Sequence, residues 1–251
     1  MSKLDRVAAI IVAAGMGVRM GGEKKKQYHI LAYRPVLAHT LLLFDKCDLI
    51  EEIFLVISED DYNLCHQQVI DPFKVFKPLH VTFGGNTRQE SVLNGLMATE
   101  GRFGVVAIHD GVRPLVRIDK VSECVQIARK YGGCILAEPA TDTIKTIDEQ
   151  GNIVATMKRK MIRMAQTPQV FHYDLILDAH LFAQEQGYAG TDDAELVEIR
   201  GKRVRTIPGS RENIKITTPE DLRIAHIFLE NMEDAKADLP SKTTSDRGPS
   251  S

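Results

Sequence analysis

Cysteine is scarce in this chain of 251 residues: Cys47, Cys65, Cys124 and Cys134 are its only four. They lie far apart, form no C-x-x-C pair and mostly sit among apolar neighbours. They therefore read as buried structural thiols of a protein from a reducing compartment. A surplus of charge of either sign is also missing, with a formal net charge of -2 and a pI near 6.5. That balance argues against a surface tuned as a whole to nucleic acid or to an anionic membrane, so any anion site must be local. The apolar run Val7 to Ala14 is too short to span a bilayer and passes into glycines without a cleavage-site pattern. The expected location is the cytoplasm. There is no internal repeat, and from about Ala235 the chain loses its aromatics and turns polar (DLPSKTTSDRGPSS). Residues 235–251 are thus expected to be a disordered tail on a single domain spanning 1–234, whose 43% hydrophobic content suffices for a core.

What is present is an alternation. VAAIIV at Val7 to Val12 is a continuous apolar run suited to a fully buried parallel strand. Pro35 opens a helix over VLAHTLLLFDK, Ile53 to Ile57 gives a second buried strand, and helical pattern resumes from Asp60. A strand at Val81 to Phe83, a helix over Arg88 to Ala98, a strand at Val105 to Ile108, a helix near Val121 to Tyr131 and a strand at Cys134 to Ala137 continue the series. The pattern predicts a doubly wound α/β fold with a mostly parallel sheet. From Ala140 to Ala165 the apolar period weakens, and Gln150-Gly151-Asn152 marks a turn, so a protruding β-hairpin arm is expected there. Two helical stretches follow Phe171, then a short strand at Val204 to Ile207, and a last helix capped by Thr218 with Pro219 at its first position.

After the first strand comes AAGMGVRMGGEKKKQY. Gly15 and Gly17 allow main-chain N–H groups to turn around a phosphate, and Arg19 with Lys24, Lys25 and Lys26 supplies positive charge. Two common phosphate loops are excluded by residue. Glu23 stands where a P-loop requires lysine, and Met20 where a dinucleotide fingerprint requires its third glycine.

The motifs then accumulate in order: A-A-G-x-G-x-R-M-G with K-Q-Y, G-G-x-x-R-x-x-S, H-D-x-x-R-P, D-T-x-K, Q-T-P-Q, T-D-D-A and N-I-K-I-T-x-P-E-D-L. Together they resemble the 2-C-methyl-D-erythritol 4-phosphate cytidylyltransferases over about Val7 to Leu229. The resemblance implies a nucleotidyltransferase fold of Rossmann-like type and transfer of CMP from CTP to a small polyol phosphate, with loss of pyrophosphate, in non-mevalonate isoprenoid precursor synthesis. It further implies a homodimer whose β-arm crosses to the partner's site. Magnesium would be held mainly by the CTP phosphates, with no metal ligand from the protein. Ribitol 5-phosphate as acceptor, and an inactive nucleotide-binding scaffold, remain alternatives; the failed fingerprint disfavours an oxidoreductase.

Residue by residue, the resemblance assigns catalytic charge stabilisation to Arg19 and Lys26, with Arg159 and Lys215 completing the catalytic set. CTP would contact Ala13, Ala14, Gly15, Gly17, Gly85, Asn86, Ser91, Asp110 and Gly111. The acceptor would contact Asp110, Thr143, Arg159, Thr167, Thr191 and Lys215. Because the attacking group is a phosphate oxygen, already largely ionised near neutrality with a second pKa of about 6, no general base is required. His109 is therefore expected to be a packed or solvated histidine and Arg113 to hold a turn. Asp192 and Glu195 also read as a helix N-cap pair. The chain departs from the family pattern at Lys25, often proline, and at Gly111, usually alanine, where a looser backbone contact to the ribose is expected.

Overall fold

The structure is a computed structural model that describes residues 3–15 and 25–237. Gly17, Arg19 and Lys24 of the glycine-rich loop and tail residues 238–251 lie outside the described residues.

Strand β1 (Val7–Val12) is an interior strand of a seven-stranded sheet. Val7, Ala9 and Ile11 enter one apolar cluster, and Ala8 and Ile10 enter the other. A strand covered on both faces must be apolar at every position, which is why VAAIIV has no polar alternation. On the first face lie α1 (Val36–Asp45) and α4 (Ile118–Tyr131); on the second lie α3 (Arg88–Ala98) and α5 (Tyr173–Glu185).

Two short strands, β2 (Ile30–Leu31) and β3 (Arg34–Pro35), pair before α1. β1 pairs in parallel with β4 (Glu52–Ile57) on one side and with β6 (Val105–Asp110) on the other. β4 is followed by α2 (Tyr62–Cys65) and extended by β5 (Leu79–Phe83). Beyond β6 come β10 (Arg163–His172), β7 (Gly133–Pro139) and β11 (Arg205–Pro208), in the order β11-β7-β10-β6-β1-β4-β5. All strands run parallel except β10, which is antiparallel to both β6 and β7. The doubly wound, mostly parallel sheet is thus as the alternation indicated.

Three differences from the sequence reading have physical reasons. β10 escaped notice because Pro168 interrupts it and its register against β7 shifts between Ala165 and Gln169. A proline and a bulge destroy the period-two signal of a strand. In consequence Arg163 to Ala165, read as the end of the arm, belong to the main sheet. Asp110, placed just beyond its strand by the apolar run, is instead the last residue of β6, since hydrogen-bonded pairing outlasts the hydrophobic stretch.

The arm itself is a separate two-stranded hairpin, β8 (Lys145–Ile147) with β9 (Ile153–Thr156). Asp148 caps its turn by accepting from the backbone N–H groups of Gln150 and Asn152, and Gly151 takes the left-handed φ of 85° that the turn requires. After α5, α6 (Asp193–Ile199) starts with Asp192 accepting from the Glu195 N–H, the N-cap pair expected there. α7 (Pro219–Ala237) starts with Thr218 accepting from Asp221 N–H and runs two residues past Ala235. All four cysteines are free and buried, and burial pushes the Cys65 thiol up to about 12. Among the described residues no helix is long and apolar enough to cross a membrane.

Candidate active site

In an open α/β sheet the crevice forms outside the carboxyl ends of strands whose connections diverge. β1 is that point here, with β4 on one side and β6 on the other. The strand ends are laced to one another: Ala13 N–H donates to Val56 O at 2.7 Å, Gly84 N–H to Ile57 O at 2.8 Å, and Gly111 N–H to Val12 O at 2.8 Å. Over them opens a cleft of ≈ 730 Å³. Ala13, Ala14 and Gly15 form one wall; Gly85, Asn86 and Ser91 form another; Lys26, Asp110 and Lys215 complete it. All the nucleotide-binding candidates within the described residues line it except Gly111, which is packed underneath.

Two glycines are closely packed. A Cβ at Gly84 would lie 2.4 Å from Ala14 Cβ, so only glycine lets the turn before α3 press against the end of β1. A Cβ at Gly111 would lie 2.9 Å from Leu37 Cδ1 and 3.0 Å from Ala13 Cβ, so the backbone here is tightly seated, not loosened. Ser91 is held by donating to Thr87 O at 2.8 Å and accepting from Gly85 N–H at 3.2 Å.

A second cleft of ≈ 220 Å³ adjoins the first and shares Arg88, Asp110 and Lys215 with it. Thr167 and Thr191 line this smaller space, as does Arg113. Asp110 therefore stands between two cavities, one large enough for a nucleotide and one for a small anion-bearing acceptor. Its carboxylate is ringed by cations: Oδ1 meets Arg88 Nε at 3.1 Å, and Oδ2 meets Lys215 Nζ at 3.0 Å and Arg113 Nε at 3.3 Å. Burial alone would raise its pKa, but Arg88, Lys215 and Arg113 overcome that and hold it well below the usual carboxylate range.

Arg88 also reaches Asp193 Oδ2 at 2.9 Å, and Asp193 Oδ1 meets His180 Nε2 at 3.2 Å, extending the network into the interior. Sequence reasoning left Arg88 out of the site and did not single out Asp193. One signal was available. A cation at the first position of a helix opposes the macrodipole, so its presence there points to a partner elsewhere.

His109, on β6, is fully buried, the packed one of the two expected alternatives. Its Nε2 lies 3.0 Å from Arg113 O, which can only accept, so in the neutral ring Nε2 carries the proton and Nδ1 accepts from Thr167 Oγ1 at 3.0 Å. Burial pushes its pKa down to about 4, so it is neutral near pH 7. Thr167 Oγ1 in turn accepts from Asp110 N–H at 3.1 Å, fixing the end of β6. Arg113 holds its turn by donating to Asn213 O at 2.7 Å, and Asn213 Nδ2 donates to Thr167 O at 2.8 Å. With Ile216 N–H on Val112 O at 2.9 Å, these bonds bring Lys215 to Asp110.

Thr191 is tied to Glu195, its hydroxyl donating to Oε2 at 2.7 Å, while lining the smaller cleft. Thr143 and Arg159 are not gathered in. Both are exposed on the arm and line neither cleft, and Arg159 donates to Thr141 O at 2.8 Å. No group of three or more His, Cys, Asp or Glu among the described residues is arranged to hold a metal ion.

Residues 7–231 match the family model of 2-C-methyl-D-erythritol 4-phosphate cytidylyltransferase. The chain is 45% identical to the enzyme of that name from Desulforamulus reducens, over 90% of this chain and 97% of that one. It is 46% identical to the one from Geobacter metallireducens, over 89% and 97%. Among solved structures, the 4-diphosphocytidyl-2C-methyl-D-erythritol synthase of Anaerococcus prevotii superposes with a TM-score of 0.80 at 31% identity, covering 91% of this chain and 98% of that one. The 2-C-methyl-D-erythritol 4-phosphate cytidylyltransferase of Thermus thermophilus superposes with a TM-score of 0.73 at 28% identity, covering 90% and 99%. With a family match over most of its length and relatives of this identity and coverage, the chain belongs to the 2-C-methyl-D-erythritol 4-phosphate cytidylyltransferase family.

Proposed function

We propose that this enzyme transfers CMP from CTP to 2-C-methyl-D-erythritol 4-phosphate and releases pyrophosphate. The observation that carries this reading is the placement of Asp110, Arg88 and Lys215 on the wall common to a nucleotide-sized cleft and a smaller one. CTP occupies the larger cleft, with its base and ribose along Ala13 to Gly15 and Gly85 to Ser91. The acceptor occupies the smaller one, near Thr167, Thr191 and Lys215.

A phosphate oxygen of the acceptor attacks the α-phosphorus of CTP. The new P–O bond forms as the bond to the β-phosphate bridging oxygen breaks, and the electron pair leaves with pyrophosphate. The nucleophile is already ionised and no proton has to be removed, which agrees with the neutral, fully engaged His109. Catalysis is positioning plus neutralisation of charge by Lys26, Lys215 and Arg19. Asp110 orients Lys215 and presents its carboxylate edge to substrate hydroxyls.

Cytidylyltransferases generally use a divalent metal. The described residues do not suit a protein-held ion, because both oxygens of the carboxylate between the clefts already face cations. Magnesium would be carried by the triphosphate oxygens and would lower the charge on the leaving pyrophosphate. We further infer a cytoplasmic homodimer in which Thr143 and Arg159 of each arm serve the other copy's acceptor. Supporting this, the arm leaves Ile147, Ile153 and Val154 about two-thirds exposed.

Pyrophosphate release should be measured with CTP, magnesium and either 2-C-methyl-D-erythritol 4-phosphate or ribitol 5-phosphate, with Arg19→Ala as control. Release with the methylerythritol substrate, lost in the control, is expected. Preference for ribitol phosphate, or release with neither, would refute the assignment.

A further inference from the structure

By sequence, Lys25 counts with Lys24 and Lys26 among the cations of the phosphate loop, and only Lys26 carries an assigned role. The structure separates Lys25 from Lys26. Lys25 Nζ lies 2.8 Å from Asp61 Oδ1, and the Asp61 side chain is only 7% exposed. Asp61 ends the single helical turn Glu59–Asp61 that follows β4, and Ser58 before that turn lines the nucleotide cleft. The next residue, Lys26, also lines that cleft. Gln27 is buried and donates through Nε2 to Ala13 O at 2.8 Å and, more weakly, to Gly15 O at 3.4 Å. Tyr28 is fully buried.

Three side chains around one tight turn, Lys26–Tyr28 and the residue before it, are therefore anchored on different supports. Lys25 is fixed to the helical turn that follows β4, Gln27 to the backbone just past β1, and Tyr28 to the core. A lysine carries four side-chain torsions and is poorly aimed by itself; anchoring the residues on both sides limits where Lys26 can point. We propose that the Lys25–Asp61 ion pair is a positioning device that aims the Lys26 ammonium at the triphosphate, and that Lys25 is not itself a phosphate ligand. The inference deepens the cytidylyl-transfer reading and rests on it.

The backbone offers a test that removes the charge and keeps the shape. Lys25 has φ -67° and ψ 144°, and the proline ring locks φ close to that value. Steady-state kcat and both KM values should be measured for wild type, Lys25→Ala, Lys25→Pro and Asp61→Asn, with a thermal melt of each. Lys25→Ala and Asp61→Asn are expected to lower kcat by about 10- to 100-fold, the scale of a misplaced catalytic group, with little change in KM for the acceptor. Lys25→Pro is expected to recover most of that loss. A Lys25 that bound phosphate directly would give the opposite pattern: Lys25→Pro as damaging as Lys25→Ala, and Asp61→Asn harmless or activating. That result would overturn the proposal, as would unchanged kcat accompanied only by lower melting temperatures. If Asp61→Asn does not fold, the alanine and proline variants at Lys25 decide by themselves. Silence of the wild type would refute the transfer reading and this inference together, an outcome distinct from an active wild type with indifferent variants.

Discussion

Asp110 and Arg159 both belong to the proposed acceptor machinery, yet they stand in opposite surroundings. Asp110 ends a central strand, is nearly inaccessible, and has three cations on its two oxygens. Arg159 sits on an exposed arm, and its guanidinium donates to a backbone carbonyl of that same arm. One chain assembles the charge arrangement at the switch point by itself, whereas in the proposed homodimer the arm's contribution waits for a second copy. Buried charges persist only when mutually paired; an exposed arginine carries no such demand.

The largest expected effect lies on the switch-point side. Lys215→Ala and Lys26→Ala should each lower kcat by about 100-fold or more, the usual consequence of losing a preorganised charge-stabilising group. Single-turnover CMP transfer measures it, and near-normal rates would remove these lysines from the mechanism.

Next comes stability. Asp110→Asn leaves Arg88, Arg113 and Lys215 without their shared carboxylate and should cost about 3 to 5 kcal/mol by denaturant unfolding. The pH sign follows from the depressed pKa of Asp110. Its contribution is fully present above its unfolded value near pH 4 and is lost as pH falls below that. Wild type should therefore lose stability steeply below about pH 4, and Asp110→Asn should show a flatter acid limb. Parallel acid limbs would contradict the charge ring.

On the arm side, Arg159→Ala and Lys26→Ala, each inactive alone, should complement when refolded together. Random mixing makes half the dimers mixed, each with one intact site, so about a quarter of wild-type activity should return. No recovery would mean that the arm does not serve its partner. The smallest effect is expected at Gly111→Ala, where a methyl meets Leu37 Cδ1 at 2.9 Å; overpacking there should cost about 1 kcal/mol, read as a shift in melting temperature. A stabilised variant would show that Leu37 yields freely.

Much of the frame was legible because burial on both faces forces continuous apolar strands and because caps leave local signatures, as at Thr218, Pro219 and Asp192. β10 was not legible, since Pro168 and the register shift at Ala165 erase the alternation on which strand recognition depends. The partner of Lys25 was not legible for a different reason. A run of three lysines carries no local information about which of them meets Asp61, 36 residues away.

The alternation of strands and helices, the failure of the P-loop and dinucleotide patterns, and the family are all readable from the residues in order, because they depend on residue types at short, fixed spacings. Which charges meet is settled by the folded chain. Arg88 lies 22 positions from Asp110 and 105 from Asp193, and Lys215 reaches Asp110 only because Asn213 and Ile216 tie its segment to β10 and the end of β6. Electrostatic partnership depends on distance through space and on exclusion of water, and neither is written in the local order of residues.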